Sequence, residues 1–542
     1  MTELFQRQRS TKMDLKNWTI FNLLGSDFIS KIKMACVFGN LGNEAIVVTK
    51  DDEVFAIGSN AAGCLGLGDL NSTLEPRKVE GLCQKKVKGF AYGSGPHVIA
   101  FTEAGELYSW GHNGYCELGN GSSNQCLAPI LVQNALSTKH IIEVACGSHH
   151  SLALTDEGEV FAWGQNNCGQ VGSGVSTNQS APRRVNSGIS TKRCVSIACG
   201  QTSSMAVTDA GEVYGWGYNG NGQLGLGNNI NQMSPNRVAT LQGVVVTKIV
   251  CGYAHTMAMS DVGMLYTWGA NSYGQLGTGN KTNSNLPVLV AADIGRIVDI
   301  AATHYTHISA VMTQSFRVYM WGQCRGQSVS TPVLTPFPSL HDVFASFATP
   351  SVMWQPMEVD DQASEKVADS VRNAFNDPDT SDLTIMVSGQ SIHVHKSILK
   401  IRCQHFRSMF QDHWQEDSQR IIEMDQFSYS VYYAFLHYLY TDEVNLSPEG
   451  ALELLVLASA YCETDLKWRC EQIIKQGITV ENAAMLYAAA IEYHAKELED
   501  FCFKFSLNHM TAIIQTEGFD NLDGQTLKNF IRKAARAGAF KS

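Results

Sequence analysis

Imidazole is the side chain best suited to proton transfer or metal binding near neutral pH, and histidines recur along this chain at Pro96-His97, His149-His150, His255 and Thr306-His307. They come once per repeat unit, in one turn, so repeat geometry explains them before catalysis does. Ser203 and Ser204 stand near Gln201 but lack the G-x-S-x-G elbow that exposes a nucleophile. The run Gly222-Gln-Leu-Gly-Leu-Gly227 offers a row of backbone N–H groups that could face a phosphate. No Lys-Ser/Thr follows it and no helical pattern begins, so it reads as a structural turn. Fifteen cysteines form no C-x-x-C pair, which argues against a disulfide framework and a structural zinc site. Cys146, Cys199 and Cys251 recur at equivalent positions beside Ala or Val, where a thiol acts as a small buried apolar group. The expectation is an unreactive chain: no catalytic residue, no cofactor and no metal ligand.

These residues ride on a repeat. Trp110-Gly111, Trp163-Gly164, Trp216-Gly217, Trp268-Gly269 and Trp321-Gly322 follow Ile57-Gly58 at intervals of 53, 53, 53, 52 and 53 residues. One unit of about 50 residues suits a four-stranded propeller blade. Before the Trp-Gly stands an alternating run such as Gly158-Glu-Val-Phe-Ala-Trp-Gly164, a half-buried strand. Before that, Ala145 to Leu154 predicts two short strands around a tight turn. After it come glycines suited to positive φ and close backbone approach, then a proline expected to open the outer strand: Pro129, Pro182, Pro235 or Pro287.

The motif G-E-V-[FY]-x-W-G-x-N-x-x-G-Q-[LV]-G-x-G resembles the repeat of the regulator of chromosome condensation family over roughly residues 33 to 357. That resemblance implies an all-β propeller. Seven blades are favoured and six are the alternative. The seventh is expected to be composite, with its first two strands from Val343 to Met357 and a closing outer strand from Asn17 to Phe21. Trp110, Trp163, Trp216, Trp268 and Trp321 are expected to be structural.

From Asp360 the Trp-Gly period stops. Val367, Val371 and Phe375 lie four apart on one helical face. Asp382 to Val387, a turn at Gly389-Gln390, and Ile392 to Leu399 predict strand, turn, strand, helix. Ser381-Asp-Leu, Val394-His-Lys-Ser-Ile-Leu399, Phe406-Arg-Ser-Met-Phe410 and Tyr438-Leu-Tyr-Thr-Asp442 resemble the α/β BTB (POZ) domain. Ile478 to Ala484 and Ala495 to Cys502 resemble the helical BACK-type extension. The whole is similar to the RCC-repeat and BTB domain-containing protein family. The expected organisation is a flexible tail over 1–16, propeller 17–357, linker and dimerisation helix 358–376, BTB domain 377–470 and BACK-like extension 471–542.

The resemblance implies a dimer built on Val367, Val371, Phe375 and the strand beside Asp382. Asp382 could instead hold a turn, and His395 satisfies a buried network better than it binds metal, having no Cys at zinc spacing. Trp414 and Glu416 match the hydrophobic-x-Glu element of BTB proteins that recruit the third animal cullin, and Tyr461 resembles a supporting contact. The implied function is a non-enzymatic, dimeric substrate adaptor for a cullin-RING ubiquitin ligase, with an unknown protein substrate on the propeller. The alternatives are a chromatin-associated regulatory scaffold, or a guanine-nucleotide exchange factor for a small nuclear GTPase. Exchange in the founding propeller uses an inserted β-wedge and loop acids; here the steady spacing leaves no room for a wedge, and the loops carry Ser148-His149-His150 and Ala254-His255.

Composition agrees with an interaction protein. The net charge of −11 opposes a nucleic-acid footprint, which needs clustered Lys and Arg. Ala451 to Tyr461, the longest apolar candidate, is broken by Glu453 and falls short of a membrane span. The polar N-terminus lacks a signal-peptide core, so cytoplasmic and/or nuclear residence is expected.

Overall fold

A computed structural model of the protein describes residues 15–359, 371–410, 419–444 and 446–536. The chain divides into two compact units, Met1–Gln362 and Ala363–Ser542. Among the described residues the first unit holds six antiparallel sheets in a propeller-like series, over 32–78, 87–131, 141–184, 194–237, 246–290 and 297–334. Each has four strands in chain order, and Met357–Glu358 adds a fifth to the first sheet beside Ile32–Phe38.

The Trp-Gly pair makes the third strand bend. In the fourth sheet Gly215 pairs with Asn236 and Gly217 with Gln232, so Trp216 sits at a register shift. Gly217 has φ +98°, and a Cβ there would lie 2.7 Å from the Thr202 carbonyl oxygen; no larger residue fits that bulge. The prolines do not open the outer strands. Pro235 is the fourth residue of Gln232–Arg237, within the stretch the bulge leaves out of register, where a missing N–H breaks no ladder bond.

The glycine-rich loop that follows is tied by one asparagine. Asn219, fully buried, accepts a bond from Leu224 N at 3.0 Å and donates to the Asn228 and Ile230 carbonyls at 2.9 and 3.2 Å. The loop's Gly225, at φ +72°, is where the next sheet's Trp268 packs: a Cβ would meet its Nε1 at 2.9 Å. The loop forms a turn held by its own hydrogen bonds.

The segment expected to supply two strands of a seventh blade begins in a helix, and only its last residue, Met357, joins a strand. Leu340–Phe347 is an α-helix capped by Ser339, whose side chain accepts from Asp342 N. The expected closing strand, Asn17 to Phe21, falls in two 3₁₀ turns, Leu15–Asn17 and Thr19–Leu23. Trp18, Phe21, Val343 and Phe344 join one apolar core with Val37 and Val47 of the first sheet and Ile308 and Val318 of the sixth. Asn17 Nδ2 donates to Asp342 Oδ1 at 2.8 Å. Aromatic and aliphatic side chains on short helices thus fill the place between the last and first sheets, and the six-blade alternative matches the sheets of this unit.

In the second unit Leu383–Val387 pairs antiparallel with Gln390–Val394 and parallel with Ile421–Glu423. The hairpin turns on Ser388 and Gly389, both at positive φ, one residue earlier than the sequence suggested. Helices follow, from Lys396–Arg402 to Gly524–Arg536. No helix among the described residues is long and apolar enough to cross a membrane.

Candidate interaction surfaces and the polar interior

Three of the recurrent histidines, His97, His150 and His255, are buried joints between sheets. His150 Nε2 lies 3.0 Å from Ser204 Oγ of the next sheet, and Ser204 Oγ donates to the Gln170 carbonyl at 2.7 Å. The same carbonyl accepts the Trp216 indole N–H at 2.9 Å. A carbonyl oxygen has two lone pairs, and both are used. His97, Ser151 and Trp163 repeat the arrangement on the Glu117 carbonyl, and His255, Ser309 and Trp321 repeat it on Gln275. Where Ser203 replaces the histidine, Thr256 and Trp268 still share the Gln223 carbonyl. Trp110 Nε1 donates to the Cys64 carbonyl at 2.7 Å. All five tryptophans are 0% exposed. Burial drives the pKa of His150 and His255 down to about 3, so both are neutral hydrogen-bonding groups at physiological pH. Burial likewise raises the Cys251 thiol to about 12, away from thiolate chemistry.

The innermost strands line a cavity of about 700 Å³. Three residues before Cys146, Cys199 and Cys251 stand Glu143, Ser196 and Lys248, all on its wall. Lys248 Nζ pairs with Asp299 Oδ1 at 2.5 Å and lies 4.6 Å over the Trp354 ring. Burial raises Glu143 to about 7, opposed by the Ile197 N–H and by Lys248. Sequence reading missed these groups, because period-two alternation assigns them to an ordinary polar face. The signal was available: Glu, Ser and Lys recur at one repeat position inside apolar strands.

Glu143 makes a pH prediction. Its folded pKa exceeds the unfolded value, so charging it in the fold opposes stability as pH rises from about 4.5 to about 7. Part of the side chain touches the open cavity, so the effect is discounted for screening to about 1–2 kcal/mol. Glu143→Gln should therefore raise the urea midpoint near pH 8 and leave it almost unchanged near pH 5. An equal shift at both pH values would show that ionisation of Glu143 is not the cause.

In the second unit Asp382 Oδ1 accepts from Lys396 N at 2.8 Å, holding the start of Lys396–Arg402. Tyr440 OH lies 2.6 Å from His395 N and 3.0 Å from His395 Nδ1. Phe375 packs edge-on against Tyr433, His437 and Tyr440 of its own chain, with centroids 5.1 to 5.2 Å away, and Val371 is partly buried. Tyr461 stacks on His405 at 3.9 Å and 9° and meets Phe406 and Phe435 edge-on. Val367, Trp414 and Glu416 lie outside the described residues.

Comparison with known proteins places this geometry. A family model for the RCC1-like domain matches residues 53–371, and one for the BTB/POZ domain matches 372–478. The human E3 ubiquitin-protein ligase HERC2 is 35% identical over 301 residues, 55% of this chain and 6% of that protein. The ultraviolet-B receptor UVR8 of Arabidopsis thaliana is 32% identical over 283 residues, 52% of this chain and 63% of the receptor. The mitochondrial RCC1 domain-containing protein RUG3 of the same plant is 30% identical over 319 residues, 58% of this chain and 70% of that protein. Among solved structures, human WBSCR16 is similar with a TM-score of 0.50 and 22% identity, covering 57% of this chain and 83% of that one. Prp20p from Saccharomyces cerevisiae is similar with a TM-score of 0.50 and 24% identity, covering 65% and 88%. These two likenesses concern the fold.

Proposed function

The chain belongs to the RCC1-like domain family and carries a BTB/POZ domain behind it, and from that premise we propose that it is a non-enzymatic regulatory scaffold associated with chromatin. Its general role is protein interaction. In this reading the six-sheet array holds one protein partner, while the BTB unit dimerises through the face of Val367, Val371 and Phe375 and the strand beside Asp382. The helices beyond Ile478 serve as a BACK-type extension.

The observation that carries the reading is the fate of the polar repeat residues. His, Ser and Trp are committed to bonds between sheets, which leaves surfaces, rather than reacting side chains, as what the array offers. A net charge of −11 suits a basic protein partner and opposes direct nucleic-acid binding. Prp20p from Saccharomyces cerevisiae has binding properties to Gsp1p and histones; histones match the charge argument and are the first partner to test.

A cullin adaptor is the second reading. It is favoured by one observation: the helix Gln404–Met409, whose His405 stacks on Tyr461, leads directly into the segment carrying Trp414 and Glu416. Dimerisation would give two arrays per particle and raise effective concentration for weak partners.

One set of titrations with the full chain separates the readings. The scaffold reading expects a dimer by light scattering and salt-sensitive binding of core histones at about micromolar concentration. Binding of a cullin N-terminal domain, lost in Trp414→Ala/Glu416→Ala, without histone binding would replace the scaffold by the adaptor. Accelerated nucleotide release from a small nuclear GTPase would replace both by exchange.

A further inference from the structure

The internal repeat provides its own control for one cluster. At each junction between sheets, three positions meet: the residue after the Trp-Gly, the residue whose carbonyl takes the indole bond, and the residue of the next sheet whose carbonyl accepts the N–H of the first one's counterpart there. At the junction of the second and third sheets these are His112, Glu117 and His149. The next junction has Gln165, Gln170 and Thr202, and the one after it Tyr218, Gln223 and Ala254. Only the first of these three sets can bind a metal. Its ligand atoms, one from each residue, all lie within 4.8 Å of one another.

The carboxylate is not needed for the fold. Gln170, Gln223 and Gln275 use their amide oxygen to accept a backbone N–H two residues earlier, at 2.9 to 3.0 Å. Glu117 makes that bond with Oε2, to Tyr115 N at 2.8 Å, and presents Oε1 to His112 Nδ1 at 2.5 Å. Its side chain is 0% exposed, against 38% for His112, so a buried carboxyl group faces an opening to solvent. Room for the third group is also built in. Gly95 has no side chain where a Cβ would lie 2.1 Å from His149 Nε2, and Ser148 Oγ, 2.6 Å from His149 Nδ1, restrains the ring. The half-exposed Tyr115 ring packs 4.6 Å from His149 at the rim.

We infer that His112, Glu117 and His149 form a binding site for a divalent transition metal of the zinc class, with its fourth position open to solvent or to a partner's ligand. Two imidazoles and one carboxylate are a borderline-soft set that zinc accepts. Bonds of about 2.0–2.1 Å put tetrahedral ligand atoms about 3.4 Å apart, so on binding the His112–Glu117 contact at 2.5 Å opens to admit the ion, while any wider pair, within 4.8 Å, closes toward it. The position at the mouth of a loop cluster gives the ion a path from solvent.

The test uses the full-length chain, reduced and freed of metal, titrated with zinc and then with cobalt(II) as the spectroscopic probe. The decisive variant is Glu117→Gln, which installs the residue that three other units already carry and so preserves the turn. Wild type should bind one equivalent of zinc at micromolar concentration or tighter. Glu117→Gln should weaken it at least about a hundredfold, with unchanged unfolding in the absence of metal, and His149→Gln should do the same. The cobalt complex should show ligand-field bands without thiolate charge transfer. Failure of the wild type to bind overturns the assignment. So does equal binding by Glu117→Gln, or a thiolate signature, either of which would move the metal to the cysteines.

Discussion

Trp216→Ala should lower the stability of the first unit by about 3–5 kcal/mol, the usual range for removing a buried indole. Two losses add. The cavity opens against Gly172, where a Cβ would lie only 3.0 Å from the indole nitrogen, and the Gln170 carbonyl keeps only the Ser204 donor. Trp216→Phe separates them, because it restores most of the area and none of the hydrogen bond; it should cost about 1–3 kcal/mol. Guanidinium unfolding of both variants is the measurement. An alanine variant within about 1 kcal/mol of wild type would show that the indole does not hold neighbouring sheets together.

The second large effect is acid lability. Burial lowers His150, His255 and His304 to about 3 and His341 to about 4. For groups depressed below an unfolded value near 6.5, the stabilising contribution is complete above that pH and is lost as pH falls through the window below it. Glu44 and Glu143, raised by burial to about 7, act in the opposite sense between about 7 and 4.5. Four histidines against two carboxylates leave a net loss on the order of 2–3 kcal/mol per pH unit between about 6 and 5. Urea midpoints across that range should fall steeply. His150→Ser, which copies Ser203 of the following unit, should make the fall shallower by one proton's worth, about 1.4 kcal/mol per unit. A midpoint independent of pH in this interval would mean that the imidazoles protonate without disturbing the sheets.

The elements whose side chains repeat were legible in the sequence. The Trp-Gly interval located the third strand of each sheet, and the glycines after it located the turns, because bulge and indole contact each tolerate only one kind of residue. What the period could not convey was the departure from it. Val343 to Met357 was expected as strand, yet Ser339-Leu-His-Asp342 is a helix-start signature that points the other way. Its apolar residues serve a helix seated between two sheets, and local alternation cannot distinguish that from half a blade. In the second unit the order strand, turn, strand, helix was legible, and Phe375, expected on the dimer face, has its ring against Tyr433 and Tyr440 of its own chain. A helical stripe of apolar residues specifies burial without specifying the partner. Glu143, Lys248 and Asp299 escaped notice because an inward-facing polar group on a channel wall has the same pattern as an outward-facing one in solvent.

The histidine–serine–tryptophan joints also bear on the order in which the molecule forms. Each of their bonds closes over a short stretch of chain: 54 residues for His150 to Ser204, 34 for Ser204 to Gln170 and 46 for Trp216 to Gln170. A sheet can therefore attach as soon as its predecessor exists, in step with synthesis, at nearly constant loop-closure entropy. The bonds from Tyr305 to Gly93 and from Asn17 to Asp342 differ, spanning 212 and 325 residues. They must wait until the sixth sheet and the helix behind it have emerged. The seam between first and last sheets is thus the slow, final step of assembly, and a chain cut short before Leu340 would leave the apolar flanks of both sheets without their cover.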